Sequence, residues 1–139
     1  YFKQHRETYY DLLQRVRLAG DWEAWTAFFA EAVRDSARQA VATANELTVM
    51  IRRDRAAVQT LGRLAGSAYR VFDALTARPV LSSSAACERT GLVPHTVLKV
   101  MAALEKAGIV RETTGQKRNR LFCYDRYLNV LSEGTEPLP

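Results

Sequence analysis

The chain has 139 residues, of which 47% are apolar and 25% charged, the balance of a globular protein with one ordinary domain or two small ones. No apolar run approaches the roughly 20 residues that span a bilayer, and the first residues are polar, so we expect neither a membrane helix nor a signal peptide. The two cysteines, Cys87 and Cys123, are too few for a disulfide scaffold and form no C-x-x-C pair, which favours reduced thiols and a cytoplasmic protein.

The positive charge of the chain is concentrated in its second half. Residues 1–62 carry nine Lys or Arg and eight Asp or Glu, a net charge of +1. Residues 63–131 carry eleven and five, a net charge of +6. A partner with a phosphate backbone is therefore to be sought on the C-terminal half.

The first half reads as two helices. Apolar residues recur at helical spacing over residues 1–19, Gly20 ends that helix, and Asp21 is placed to cap the next. The second apolar stripe meets no Gly or Pro before Gly62, which predicts a helix of roughly 40 residues, about 60 Å long. Because this exceeds any core that the fragment could supply, we expect the long helix to contact another subunit or a missing part of the protein.

An aromatic cluster opens the long helix. Its members are Trp22, Trp25, Phe28 and Phe29, and the spacing predicts that they form the core against the first helix. Further along, the small residues at positions 36–44 would let another helix approach closely, as in a homo-oligomer.

The second half follows a boundary at Gly62. The pattern predicts a helix over residues 67–78, an extended stretch at 80–81, a helix that is capped by Ser82 or Ser83 and ends at Gly91, and a helix that begins at Pro94. Strands at residues 109–113 and 121–124 flank a basic loop, and a last helix spans residues 124–131. This order is typical of a winged helix. We therefore expect a mainly α protein with a helical hairpin and long helix (1–62), a winged helix-turn-helix domain (63–131) and a flexible tail (132–139).

A winged helix would place its second helix in the major groove of DNA, while the hairpin reaches phosphates or the minor groove. The residues that this model assigns to DNA contacts are His95, Thr96 and Lys99 in the helix and Lys117, Arg118 and Arg120 in the hairpin. The alternative is a protein-protein or dimerisation element with a soluble basic loop, because packing alone accounts for the same helical pattern.

Motifs for catalysis are missing from the sequence. It has no glycine-rich phosphate loop, no H-E-x-x-H and no nucleophile elbow, and His5 and His95 read as surface histidines. We predict no catalytic and no metal-binding residue. Because position 1 is Tyr rather than Met, we expect a piece of a longer protein.

Several stretches of the sequence are similar to one protein family. They are YFKQHR at 1–6, YYDLL at 9–13, VR at 16–17, GDWEAW at 20–25, FF at 28–29, LEKAGIV at 104–110 and NRLFCYD at 119–125. The first five resemble the segment that follows the catalytic motif in Fic-domain proteins, and the last two resemble the C-terminal winged-helix module that many of them carry. One departure is Val93, where winged helices commonly place a Ser or Thr cap.

The resemblance implies a parent protein that transfers AMP from ATP, with Mg²⁺, to a hydroxyl side chain of a target protein, which is AMPylation by a nucleotidyltransferase. The family performs this reaction with a His-Pro-Phe-x-x-Gly-Asn-Gly-Arg loop that is absent from this sequence. No catalytic or ATP-binding residue is therefore carried over. The rival hypothesis is a stand-alone winged-helix transcriptional regulator that dimerises through its long helix, and a third is a purely structural adaptor.

Overall fold

The computed structural model describes residues 1–116 and 119–133. Within them the chain is mainly α-helical, as predicted, with six α-helices and a small three-stranded antiparallel sheet. The helices are α1 (Arg6–Ala19), α2 (Trp22–Gln59), α3 (Ala65–Ala77), α4 (Ser83–Thr90), α5 (Pro94–Lys106) and α6 (Asp125–Ser132). The strands are β1 (Val80–Ser82), β2 (Arg111–Glu112) and β3 (Leu121–Cys123), and a 3₁₀ turn, Gly62–Leu64, precedes α3.

The chain divides into two compact units, Tyr1–Asn45 and Glu46–Glu133. The division falls inside α2, whereas the sequence placed a boundary at Gly62. The last turns of α2 belong to the second unit because Met50, Ile51 and Val58 pack with its core. The six residues 134–139 of the predicted tail lie outside the described residues.

The first unit is a helical hairpin with the caps that its sequence predicts. Gly20 ends α1 in the left-handed conformation, with φ +66°, and its N–H donates to the carbonyl of Val16. Asp21 caps α2, because its Oδ1 accepts a hydrogen bond of 3.1 Å from the N–H of Ala24. That bond, helped by the Arg15 guanidinium, holds the pKa of Asp21 below its usual value.

The predicted aromatic core of this unit is only partly formed. Phe28 is buried, with ring centroids 5.6 Å from Tyr1 and 6.1 Å from Trp25, which is half-buried. The prediction is wrong for Trp22 and Phe29, which remain 64% and 49% exposed. Their side chains lie on parts of α2 that α1 does not cover, since one neighbouring helix shields only one stripe of another.

The second unit encloses a continuous apolar core. Its fully or almost fully buried side chains come from α2, α3, β1, α4, α5, β3 and the segments between them: Val58, Ala68, Val71, Phe72, Leu75, Leu81, Ala86, Val97, Val100, Met101, Leu104, Ile109, Val110, Phe122 and Tyr124. The four from α5 recur at helical spacing and form one face of that helix.

Strand β3 is the centre of the sheet, which has the order β1-β3-β2. Leu81 pairs with Phe122 on one side, and Glu112 pairs with Phe122 on the other. The stretch that the sequence marked only as extended thus forms an edge strand, and it joins the hairpin to the first helices of the unit.

Candidate nucleic-acid interface

Helix α4 has well-defined ends. At its start, Ser82 is the N-cap, because its Oγ accepts a hydrogen bond of 3.2 Å from the N–H of Ala85. At its end, Gly91 takes φ +65° and its N–H donates to the carbonyl of Cys87 at 2.8 Å. Both ends agree with the sequence-based prediction.

The turn between α4 and α5 is fixed from the inside by Thr90. This buried side chain donates from Oγ1 to the carbonyl of Ala86 at 2.6 Å and accepts from the N–H of Leu92 at 3.3 Å. The guanidinium of Arg70 on α3 donates to the Thr90 carbonyl. Because backbone and side chain are both held, the angle at which α5 leaves the turn is defined.

Helix α5 presents a polar surface at its N-terminal end. Pro94 occupies the first turn, and Val93 at the N-cap offers no side-chain hydrogen bond. His95 and Lys99 are exposed, and Thr96 is half-buried. Three of the predicted contact residues therefore lie on one helix whose opposite face is anchored in the core.

The hairpin turn is organised around the carboxylate of Glu112. Its Oε1 accepts from the N–H of Thr114 at 2.8 Å, and its Oε2 accepts from the N–H of Gly115 at 3.0 Å. The hydroxyl of Thr114 donates to the same carboxylate. These donors, first the hydroxyl and then the backbone N–H of Thr114, lower the pKa of Glu112 from its ordinary value of 4.5.

The base of the hairpin is tied to the last helix by an ion pair with two contacts. Arg111 Nε lies 2.6 Å from Asp125 Oδ2, and Arg111 Nη2 lies 3.1 Å from Oδ1. This pair lowers the pKa of Asp125 and raises the pKa of the Arg111 guanidinium. Nearby, Cys123 is buried in β3, and desolvation raises the pKa of its thiol to about 11, which leaves it protonated and unreactive at neutral pH.

The second side of the hairpin approaches α4 and α5. Asn119 adopts φ +50° and its Oδ1 accepts from the hydroxyl of Ser84 at 2.8 Å. A cleft of about 310 Å³ lies here, and its lining comes from all three elements: Ser83, Ser84, Cys87, Pro94, Leu98 and Asn119. The exposed start of α5 and the hairpin therefore border the same cleft.

The basic residues of the hairpin are described only in part. Arg120 is exposed, and its Nε donates to the carbonyl of Gln116 at 3.0 Å. Lys117 and Arg118 lie outside the described residues. Of the six predicted contacts, the structure thus locates His95, Thr96 and Lys99 on α5 and Arg120 immediately before β3.

A buried polar network near the hairpin was not predicted. Asp54 on α2 is 2% exposed, and its Oδ2 accepts from the hydroxyl of Tyr124 at 2.6 Å. Its Oδ1 accepts from Arg126 Nη2 at 3.1 Å, and Nη2 also donates to the carbonyl of Gly108 at 3.0 Å. Burial, together with the bond to Asp54, raises the pKa of the Tyr124 hydroxyl.

Asp54 was missed because it stands among Arg52, Arg53 and Arg55, a run that reads as a solvated helix face. The available signal was its helical spacing: it lies four residues after Met50 and four before Val58, both of which pack with the core.

The first unit carries an apolar surface that its own residues leave uncovered. Phe29 and Val33 are exposed, and they border a cleft of about 300 Å³ together with Tyr1, Phe2, Ala32 and Ser36. Contiguous exposed apolar side chains are typical of a contact surface.

Within residues 1–116 and 119–133, no group of three or more His, Cys, Asp or Glu side chains is arranged to hold a metal ion. Among the helices of this same described part, none is long and apolar enough to cross a membrane. No protein-family model matches the chain, and a search of curated proteins gave no significant match.

Proposed function

We propose that this chain is the C-terminal part of a cytoplasmic Fic-type protein. In this proposal Tyr1–Asn45 belongs to the helical Fic core, and Glu46–Glu133 is a winged-helix module that regulates or localises the enzyme. The parent would transfer AMP from ATP, with Mg²⁺, to a hydroxyl of a target protein, using a catalytic loop that this sequence does not contain.

The observation that carries the first half of the proposal is the uncovered apolar surface of the helical hairpin. The sequence stretches that resemble the Fic family form α1 and the start of α2, and Phe29 in one of them is 49% exposed. A remaining Fic core packed on Phe29 and Val33 would remove this apolar area from water.

The second half of the proposal is supported by the order of elements. Helix α3, strand β1, the α4–α5 pair and the β2–β3 hairpin follow one another, and β3 lies between β1 and β2. This is the succession expected of a winged helix-turn-helix.

The test is AMP transfer by the full-length gene product. With ATP labelled on its α-phosphate and Mg²⁺, we expect label to appear on protein in a cell extract and to disappear when the His of the upstream loop is replaced by Ala. Absence of a His-Pro-Phe-x-x-Gly-Asn-Gly-Arg loop before Tyr1 would reject the Fic-type parent.

A second function, DNA binding by the module, is favoured by the exposed start of α5 beside the hairpin. His95, Thr96 and Lys99 would meet base edges or phosphates, and Arg120 with Lys117 and Arg118 would meet phosphates. The net charge of +6 over residues 63–131 favours such a partner.

Fluorescence anisotropy with duplex DNA at several salt concentrations tests this function. The logarithm of the association constant should fall linearly with the logarithm of the salt concentration, and Lys117→Ala and Arg118→Ala should each reduce the slope by about one. Lys3→Ala, which removes the same charge from the first unit, is the control and should leave the slope unchanged. An unaltered slope in both hairpin variants would argue against hairpin contacts.

The rival hypothesis, which uses the same DNA contacts, is a stand-alone transcriptional regulator that dimerises through α2. The exposed Val33, Val41 and Val49 on that helix favour this reading. The regulator hypothesis predicts that light scattering detects a dimer and that Val41→Glu dissociates it. A dimer that binds no DNA at low salt would instead favour a structural adaptor.

A further inference from the structure

We propose that Asp54 is a positioning residue for the hairpin: it does not face DNA, but it fixes the strand that presents Arg120. The inference rests on the DNA-binding function proposed for the module. It concerns Asp54 and its two hydrogen-bond partners, the side chains of Tyr124 and Arg126.

The network fixes one end of β3. Tyr124 follows directly after β3, and its ring is fully buried against Phe72, with ring centroids 5.9 Å apart. Its N–H donates to the carbonyl of Pro79 at 2.8 Å, while its hydroxyl donates to Asp54. Backbone and side chain of the same residue are therefore held by two separate parts of the unit.

The other end of β3 carries Arg120. The carbonyl of Arg120 accepts from the N–H of Ser83 at 2.9 Å, so the strand is also attached to the start of α4. Tyr124 lies four positions after Arg120, a span of about 13 Å at the rise of an extended strand. Because β3 pairs with both β1 and β2, a change in its direction moves the whole hairpin.

The chemistry of the network explains why a carboxylate is required. One oxygen of Asp54 accepts from a neutral phenol and the other accepts from the Arg126 guanidinium. The guanidinium also donates to the carbonyl of Gly108, three positions before the start of β2. Asn in place of Asp54 has similar shape but no charge. If its oxygen accepts from Arg126, its NH₂ group faces the Tyr124 hydroxyl, so the ion pair is lost and the phenol no longer donates to α2. Both attachments of the hairpin base to α2 would then be weaker.

A double-mutant cycle on the full chain tests the proposal. Duplex-DNA affinity is measured at one fixed salt concentration for the wild type, Asp54→Asn, Arg120→Ala and the double variant. We expect Arg120→Ala to weaken binding several-fold in the wild type and by less than about twofold in the Asp54→Asn background, because the hairpin there no longer presents Arg120 to the DNA.

The control cycle replaces Arg120→Ala with Lys99→Ala. Lys99 lies on α5, which the core holds through Val97 and Val100, so its loss should weaken binding equally in both backgrounds. An equal effect of Arg120→Ala in both backgrounds would overturn the proposal. A general loss of folding would reduce both cycles alike and would not produce this pattern.

A second measurement uses the free protein. The amides of Thr113 and Ser83 donate to carbonyls of Leu121 and Arg120, so their hydrogen exchange reports the attachment of β3. We expect exchange to accelerate about tenfold in Asp54→Asn and in Tyr124→Phe, which preserves the buried ring, relative to amides in α3. Arg55→Ala, which breaks an exposed ion pair with Asp73, is the control and should leave the rates unchanged.

The two readouts separate the two claims. If the wild-type chain binds no DNA even at low salt, the DNA-binding function fails, while accelerated exchange at Thr113 and Ser83 still supports the positioning of the hairpin by Asp54. If exchange at both amides is the same in Tyr124→Phe, Asp54→Asn and wild type, the positioning role is rejected whatever the DNA affinity.

Discussion

The two units are built from sequences with similar helical patterns, but they bury their apolar residues to very different degrees. In Glu46–Glu133, helices and a sheet surround one core in which Phe72, Leu75 and Met101 are fully buried. In Tyr1–Asn45, two helices bury little beyond Leu12, Phe28 and Ala32. An apolar stripe thus predicts a helix, whereas a closed core also needs elements on several sides of that helix.

The largest expected effect is the removal of an aromatic ring from each unit. Phe72→Ala should lower the free energy of unfolding by roughly 3–5 kcal/mol, because it leaves a cavity in a closed core. Phe29→Ala, the matched change in the first unit, should lower it by less than about 1 kcal/mol, because half of that ring already contacts water. Urea unfolding followed by circular dichroism measures both, and equal losses would contradict the contrast between the units.

The next largest effect is expected from the loss of a buried carboxylate, compared with the loss of an exposed one. Asp54→Ala should lower the free energy of unfolding by roughly 2–4 kcal/mol, because the Tyr124 hydroxyl and part of the Arg126 guanidinium are left buried without their acceptor. The control, Asp73→Ala, breaks an exposed pair with Arg55 and should change the value by less than about 1 kcal/mol. If Asp54→Ala lowers the free energy of unfolding only slightly in the same urea titration, water replaces the carboxylate as the acceptor.

A smaller change of opposite sign is expected at Val93. This residue occupies the N-cap of α5 without a side-chain hydrogen bond and is 63% exposed, so little packing is lost on its replacement. Val93→Ser should raise the free energy of unfolding by about 1 kcal/mol, since its oxygen can accept from a free N–H of the first turn. Val93→Ala provides no acceptor and serves as the control; a thermal midpoint that rises equally in both variants would exclude capping as the cause.

The smallest effect is local and depends on pH. Hydrogen bonds lower the pKa of Glu112 in the folded hairpin below its ordinary value of 4.5. The stabilisation of the folded hairpin by the ionised Glu112 is therefore fully present above pH 4.5. It is lost as the pH falls through the lowered pKa of the folded state. The amide chemical shift of Gly115, which donates to this carboxylate, should titrate with a midpoint below 4.5. Glu112→Gln should abolish that titration, and a midpoint above 4.5 would contradict the hydrogen-bonded turn.

Features that depend on neighbouring residues were predictable from the sequence. The caps at Asp21 and Ser82, the glycine ends at Gly20 and Gly91, and the long helix all rest on signals within one or two turns of the chain. The same holds for the buried face of α5, because its spacing alone selects the four inward residues.

Features that depend on distant residues were not predictable in the same way. Asp54 is a polar residue in a basic run, and only Tyr124 and Arg126, some 70 residues away, make its burial favourable. Trp22 and Phe29 are residue types typical of a protein core, but whether they are buried depends on how many elements surround α2. Local patterns specify the helices, while the partners that cover them are set by tertiary contacts.

The position of β3 in the sheet has a consequence for synthesis on the ribosome. Among the strands that the structure describes, β1 pairs only with β3, and Val80 and Cys123, which pair in the register, are separated by about 40 residues of chain. At elongation rates of about 5–20 residues per second, β1 would wait roughly 2–8 s for the strand that covers it. During that interval the nascent second unit has helices but no sheet. A truncation before Leu121 would make this state permanent, because β1 and β2 would both lack β3 and remain open to pairing with other strands.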